Sequence, residues 1–197
     1  MNRLHQTDPG QATGKAKQLF DAVESRLGFV PNLMRVFGNS PAALEAYLNF
    51  SGALMRGVLS TKLREQLALA IGEINGCDYC LSAHTLSGAK AGLGPDDIRA
   101  ARRGSALNDK SDAALKFARA VALERGHIAD ADLQAARSAG LTEAELVEIV
   151  QHVALNTLTN YTNNVARTVV DFPEVKAGEF EPSTAAAGAS HPTAVAA

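Results

Sequence analysis

The chain has 197 residues, of which 46% are hydrophobic and 20% charged, and its formal net charge is −2. That length suits one well-filled domain, and the near-neutral charge gives no electrostatic pull toward nucleic acid or an anionic membrane. With no tryptophan and only 5% aromatic residues, base-stacking platforms are also excluded, and the dominance of alanine and leucine favours helices over sheet.

The opening residues, MNRLHQTDPGQA, lack an apolar h-region, so no signal peptide is expected, and residues 1–12 read as a loose polar arm. A helical pattern starts near Gly14 and carries Leu19, Phe20, Val23 and Leu27 at helical spacing. A short helix opened at Pro31 and closed by Gly38-Asn39-Ser40 follows, and then a helix from Pro41 that ends at Gly57. Ser60 is placed to cap a strong helix from Thr61 to about Asn75, with Gly76 as its stop. The next helix spans about Cys77 to Ala91, followed by short helices over 94–104 and 111–126. Two more, over 129–140 and 141–168, complete the set. No segment alternates with period two, so the fold class is all-α, a compact multi-helix domain over 13–173 with short Gly/Pro turns. Residues 174–197, rich in Ala, Ser, Thr, Pro and Gly toward their end, read as a flexible tail. No run of about 18 apolar residues occurs, so no spanning helix and no membrane partner are expected.

Residues 59–84 can be laid over 141–166, which pairs Ser60 with Thr142, Leu67 with Ile149 and Tyr79 with Tyr161. The pairing suggests an internal duplication of a helical hairpin, with a degenerate second copy at 141–168 that kept the frame and lost the chemistry. Any two amphipathic helices align nearly as well, so the duplication is one of two readings.

The chemistry gathers in GCDYCLSAHT, residues 76–85, which holds both cysteines of the chain. With Cys80 at zero on a helical wheel, Cys77 falls at about +60°, His84 at about +40° and Ser87 near −20°, one narrow face. The Asn75-Gly76 turn should fold the preceding helix back antiparallel, bringing a glutamate toward that face. Glu65 projects beside Ala68, Leu69 and Gly72, where a carboxylate is costly without a partner. Glu73 projects beside Lys62 and Gln66, an edge expected to be wet. Glu65 is therefore the expected partner of the site.

Four readings of the motif compete. Structural zinc takes four ligands, usually Cys or His, and the remaining histidines (5, 127, 152 and 190) are distant in sequence. A c-type haem site needs histidine directly after the second cysteine, where Leu81 stands. Two inert buried thiols are the plain alternative. The pattern fits a redox dithiol best, with no metal or cofactor expected. A CxxC at a helix start favours thiolate, and His84 lies one turn beyond Cys80, able to take its proton while Glu65 orients the imidazole. Helix-start arguments favour Cys77 as the more acidic thiol, whereas proximity to His84 favours Cys80.

The segment LALAIGEINGCDYCLSAHTLSGAKAGL with the preceding Arg64-Glu65 resembles the AhpD-like alkylhydroperoxidases of the carboxymuconolactone decarboxylase superfamily. Glu65, Cys77, Cys80 and His84 keep that family's E-x11-C-x2-C-x3-H spacing. The resemblance is strongest over 59–93 and extends loosely over 14–172. Tyr79 departs from the pattern, standing where the best-known members carry a histidine, so that member of a proton relay is missing. The resemblance implies a thiol peroxidase assembled as a homo-oligomer, trimer or hexamer, and two cysteines without an export signal lead one to expect a reducing cytoplasm. Cys80 would attack the terminal oxygen of a hydroperoxide, and Cys77 would condense with the sulfenic acid to form a Cys77–Cys80 disulfide. An external dithiol, a lipoyl-bearing protein or a peroxiredoxin, would then reduce the pair. Tyr79 and Ser87 would flank these four residues.

Two rival functions remain at this level. Decarboxylation of a muconolactone in aromatic catabolism needs no CxxC, so the intact pair argues against it. A non-enzymatic redox sensor or adaptor would use the same thiols, and steady turnover with excess dithiol separates it from a peroxidase.

Overall fold

The computed structural model describes residues 2–179. Among these, nine α-helices form and no strand. They are α1 (Gly14–Leu27), α2 (Asn32–Phe37), α3 (Pro41–Leu54), α4 (Thr61–Ile74), α5 (Asp78–Lys90), α6 (Pro95–Arg102), α7 (Asp109–Leu123), α8 (Asp130–Ser138) and α9 (Glu143–Ala166). None is long and apolar enough to cross a membrane.

α4 is the hub, packed by α5, α6, α7 and α9. Its stripe of Leu63, Leu67, Ala70 and Ile71 is buried in the larger core with Leu81, Leu115 and Ile149. Burying each such Leu or Ile contributes about 1.5–3 kcal/mol. The helix begins where Ser60 Oγ accepts from the Leu63 N–H, satisfying one of the unpaired donors of the first turn. It ends at the Asn75-Gly76 turn, where Gly76 takes φ +59, a conformation that disfavours side chains. α9 clamps that turn: Asn75 Nδ2 donates to Asn160 Oδ1 at 2.9 Å, and Asn164 Nδ2 donates to the Asn75 carbonyl at 2.8 Å. A second, smaller core unites α1, α2 and α3 with Cys77, Tyr79 and Cys80. The dithiol segment therefore lies at the seam of two cores.

Four expectations change. The 141–168 segment is not a second hairpin, because α9 runs unbroken for 24 residues. Its opening does match α4, with Thr142 capping as Ser60 does. Thr157-Leu158 then stand where the first copy has Asn75-Gly76, and no glycine is present there to reverse the chain. The N-terminal arm is tied down rather than loose, since Arg3 N–H donates to the Ala166 carbonyl and Thr7 N–H to that of Arg35.

Glu73 is the third. Its edge is not wet: the carboxylate pairs with Arg102 Nε at 2.8 Å, the two side chains being 11% and 7% exposed. It also accepts from the Gly178 N–H. The same chain segment, inside the stretch expected to be a tail, donates Ala177 N–H to Asp78 Oδ1 and Val175 N–H to Ser82 Oγ. Residues 175–178 thus strap across α4, α5 and α6. The remainder of the expected tail, 180–197, lies outside the described residues.

Candidate active site

Cys77 is the N-cap of α5 rather than its first helical residue, and its Sγ accepts from the Cys80 N–H at 3.2 Å. The two cysteines are joined as a disulfide with Cα atoms 5.3 Å apart. Cys77 is wholly buried and Cys80 is 3% exposed. Only Cys80 lines the cavity described below. The Cys77 sulfur faces the unpaired N–H groups of the helix start, which favour negative charge.

α4 and α5 approach closely because Gly88 faces α4, where a side chain would meet Leu93 and Glu65 Cβ. That approach sets Glu65 against His84. Glu65 Oε2 lies 2.8 Å from His84 Nδ1, with side chains 18% and 30% exposed. A carboxylate here favours the Nδ1–H tautomer, leaving Nε2 as the ring's acceptor.

Glu65, Cys80 and His84 open on one cavity of about 300 Å³. Its size falls at the lower end of small-molecule pockets. Tyr79 and Ser87 also line it. The Tyr79 hydroxyl accepts from the Leu33 N–H at 3.2 Å, and its ring packs edge-on against Phe172. Burial pushes the phenol far above its ordinary range, so Tyr79 stays protonated. Its position serves the wall between α2 and α5, and Ser87 stands exposed at the rim.

The opposite wall is α9, which sequence reading did not place at the site. His152, Asn156, Thr159 and Asn163 stand at i, i+4, i+7 and i+11, all buried and all lining the cavity. Asn163 Nδ2 donates to Cys80 Sγ at 3.3 Å. Polar residues repeating on one face of a helix were the available signal, but 141–168 had been set aside as a copy without chemistry. His152 is distant from the motif in sequence, and the fold brings it to the same cavity. Burial holds its imidazole down to about 4, with Arg64 acting in the same direction and Glu148 and Glu65 opposing. Among the described residues, no cluster of three or more His, Cys, Asp or Glu is placed to hold a metal ion.

A reduced Cys80 in this setting shares its cavity with a base, has an amide donor on its sulfur and a second thiol within bonding reach. That equipment suits thiolate attack followed by disulfide closure.

Residues 41–124 match the model of the carboxymuconolactone decarboxylase family. No protein of curated function matches the chain. Among solved structures, the chain resembles an uncharacterized peroxidase-related protein from Ralstonia eutropha JMP134, described as an alkylhydroperoxidase AhpD core. The TM-score is 0.78 at 24% identity, covering 86% of this chain and 92% of that one. A peroxidase-related protein from Silicibacter sp. TM1040 gives 0.73 at 22%, covering 91% and 94%. The debrominase Bmp8, in a cysteine-to-alanine form bound to 2,3,4-tribromopyrrole, gives 0.73 at 20%, covering 86% and 91%. At these identities the structures establish the shared helical fold.

Proposed function

We propose that the chain is an AhpD-like member of the carboxymuconolactone decarboxylase superfamily and that it acts as a CxxC-dependent thiol peroxidase on organic hydroperoxides. The observation that carries this reading is the asymmetry of the dithiol: Cys80 opens on the cavity with His84 and Glu65, while Cys77 lies wholly buried behind it. His84, oriented by Glu65, takes the Cys80 proton. The thiolate attacks the terminal peroxide oxygen, the Sγ–O bond forms as the O–O bond breaks, and the leaving alkoxide takes the proton from His84. The product alcohol departs and Cys80 is left as a sulfenic acid. Cys77 then displaces water to close the disulfide, and an external dithiol returns both thiols by exchange. A lipoyl-bearing protein or a peroxiredoxin would supply that dithiol.

The test is a mass-resolved thiol titration with a small excess of cumene hydroperoxide, on wild type and Cys77→Ser. Wild type should lose two thiols to an internal disulfide, while the variant stops at one added oxygen on Cys80. Unreactive thiols in both would end the peroxidase reading. If 2,3,4-tribromopyrrole then oxidised the same thiols with loss of bromide, the two electrons of the dithiol would belong to a debrominase.

The homo-oligomer is proposed on the outward face of α9. Val147, Leu158, Tyr161 and Val165 stand 60%, 44%, 58% and 58% exposed there, an apolar stripe that water covers poorly in a lone subunit. Sedimentation of Tyr161→Asp should show a smaller species than wild type, and an unchanged one would remove the stripe from the interface.

A further inference from the structure

The Asn163 carboxamide is half used. Its Nδ2 donates to Cys80 Sγ at 3.3 Å, while its Oδ1 is shut off from solvent and, among the described residues, accepts from no group. The residue is 3% exposed and lines the cavity on which Cys80 opens. Leaving a buried acceptor unpaired is costly, so a carboxamide kept at this place calls for a partner that arrives during reaction. Two donors on the same stretch of α9 are committed elsewhere: Thr159 Oγ1 donates to the Asn156 carbonyl, and Asn164 Nδ2 to that of Asn75. Within one amide the nitrogen and oxygen stand about 2.2 Å apart, which puts Oδ1 within about 5.5 Å of the Cys80 sulfur, in reach of a hydroxyl carried on it.

Resting on the peroxidase reading, we infer that Asn163 cradles Cys80 on both sides of its oxidation, Nδ2 donating to the thiolate and Oδ1 accepting from the hydroxyl of the sulfenic acid. The oxygen that the thiolate attacks is the one that carries hydrogen. As the Sγ–O bond forms and the O–O bond breaks, that oxygen keeps its hydrogen and arrives on the sulfur as S–OH. The alkoxide leaves with the proton held by His84. The new O–H then donates to Oδ1, the acceptor that had no partner. A hydrogen bond to the neutral acid disfavours its ionisation, and the sulfenate anion is the form that attacks a second hydroperoxide. The cradle therefore holds Cys80 at one oxygen until Cys77 gives up its thiol proton, bonds to Sγ and expels the hydroxyl as water. One side chain thus serves two successive states, with its donor for the first and its acceptor for the second.

The experiment uses Cys77→Ser as parent, so that no disulfide can close, and adds Asn163→Leu or Asn163→Asp. Each protein is treated with excess cumene hydroperoxide, and intact mass follows the first and the second oxygen on Cys80. In Asn163→Leu the ratio of second to first rate constants should rise about 10-fold, the loss of one hydrogen bond. Asn163→Asp keeps an acceptor beside the sulfur, and its ratio should stay within about 2-fold of the parent. Iodoacetamide alkylation of the thiol at pH 7 should slow in both variants, because both lose the Nδ2 donor. Should Asn163→Leu not fold, Asn163→Ala removes the same two bonds with less bulk. Oxidation at one second-to-first ratio in all the proteins would overturn the cradle alone, as would an aspartate variant that behaves like the leucine one. A parent that no hydroperoxide oxidises would overturn the peroxidase reading and the cradle with it.

Discussion

Replacing Glu73 by Gln should damage the fold and spare the chemistry, whereas Glu65→Gln should do the reverse. Glu73 and Arg102 pair at 2.8 Å with side chains 11% and 7% exposed, and the same carboxylate accepts from the Gly178 N–H. Removing one partner of a buried pair costs about 3–5 kcal/mol, because the other charge stays behind in a dry site. Arg102 still donates to the Lys176 carbonyl at 2.7 Å, so the low end applies, about 3 kcal/mol. For a domain of this size that is a fall in Tm of roughly 6–12 °C. The assay is thermal and urea denaturation at pH 7, beside peroxide turnover at 20 °C. Exchanging both partners for apolar residues, Glu73→Leu with Arg102→Met, should give a protein more stable than either single variant. Glu65→Gln should leave Tm within about 2 °C, since its partner stays partly solvated, while turnover drops steeply. An unchanged Tm for Glu73→Gln, or a turnover loss equal to that of Glu65→Gln, would refute the division of labour between the two glutamates.

Three further outcomes follow from the geometry. Asn163→Leu removes the amide that donates to Cys80 Sγ, so the pH profile of iodoacetamide alkylation should move up by about one pH unit, and an unmoved profile would deny the amide any hold on the thiolate. His152 ionises near 4 in the fold and near 6.5 when unfolded. Its contribution to stability is therefore complete above 6.5 and drains away as pH falls toward 4, because the unfolded chain binds the proton first. Wild type should lose roughly 2–3 kcal/mol more than His152→Asn between pH 7 and 4.5, measured by urea melts; parallel losses would mean the ring is not held neutral. Gly38→Ala would drive a methyl into the ring of Phe20, which is 1% exposed. It should cost about 1–3 kcal/mol in the same melts, and no loss would show that the α1–α2 contact yields freely.

Local signals account for what was legible in the sequence. Four helix starts carry their own marker: Ser60 and Thr142 as caps, and prolines at the openings of α3 and α6. The Glu65–His84 contact could be reasoned from one turn and two helical faces, because all its parts lie in a single hairpin. What escaped was non-local. Glu73 sits beside Lys62 and Gln66 on its own helix, and nothing in that neighbourhood announces Arg102 or the strap at 175–178. Asn163 reaches Cys80, and His152 the same cavity, only because α9 crosses the hairpin. Pairing 141–168 with the motif segment also concealed them, since an alignment of frames compares what two helices share and passes over what one of them adds.

The burial of Cys77 behind Cys80 has a kinetic consequence. In the proposed peroxidase cycle, oxidant and reductant would share one doorway, because Cys80 is the cysteine that opens on the cavity. An incoming dithiol must form its mixed disulfide on Cys80, expelling Cys77 as the leaving thiolate at the helix start. The two half-reactions must then alternate in strict ping-pong order, with each co-substrate obstructing the other's turn. At fixed dithiol, the rate would climb with hydroperoxide, pass through a maximum and decline.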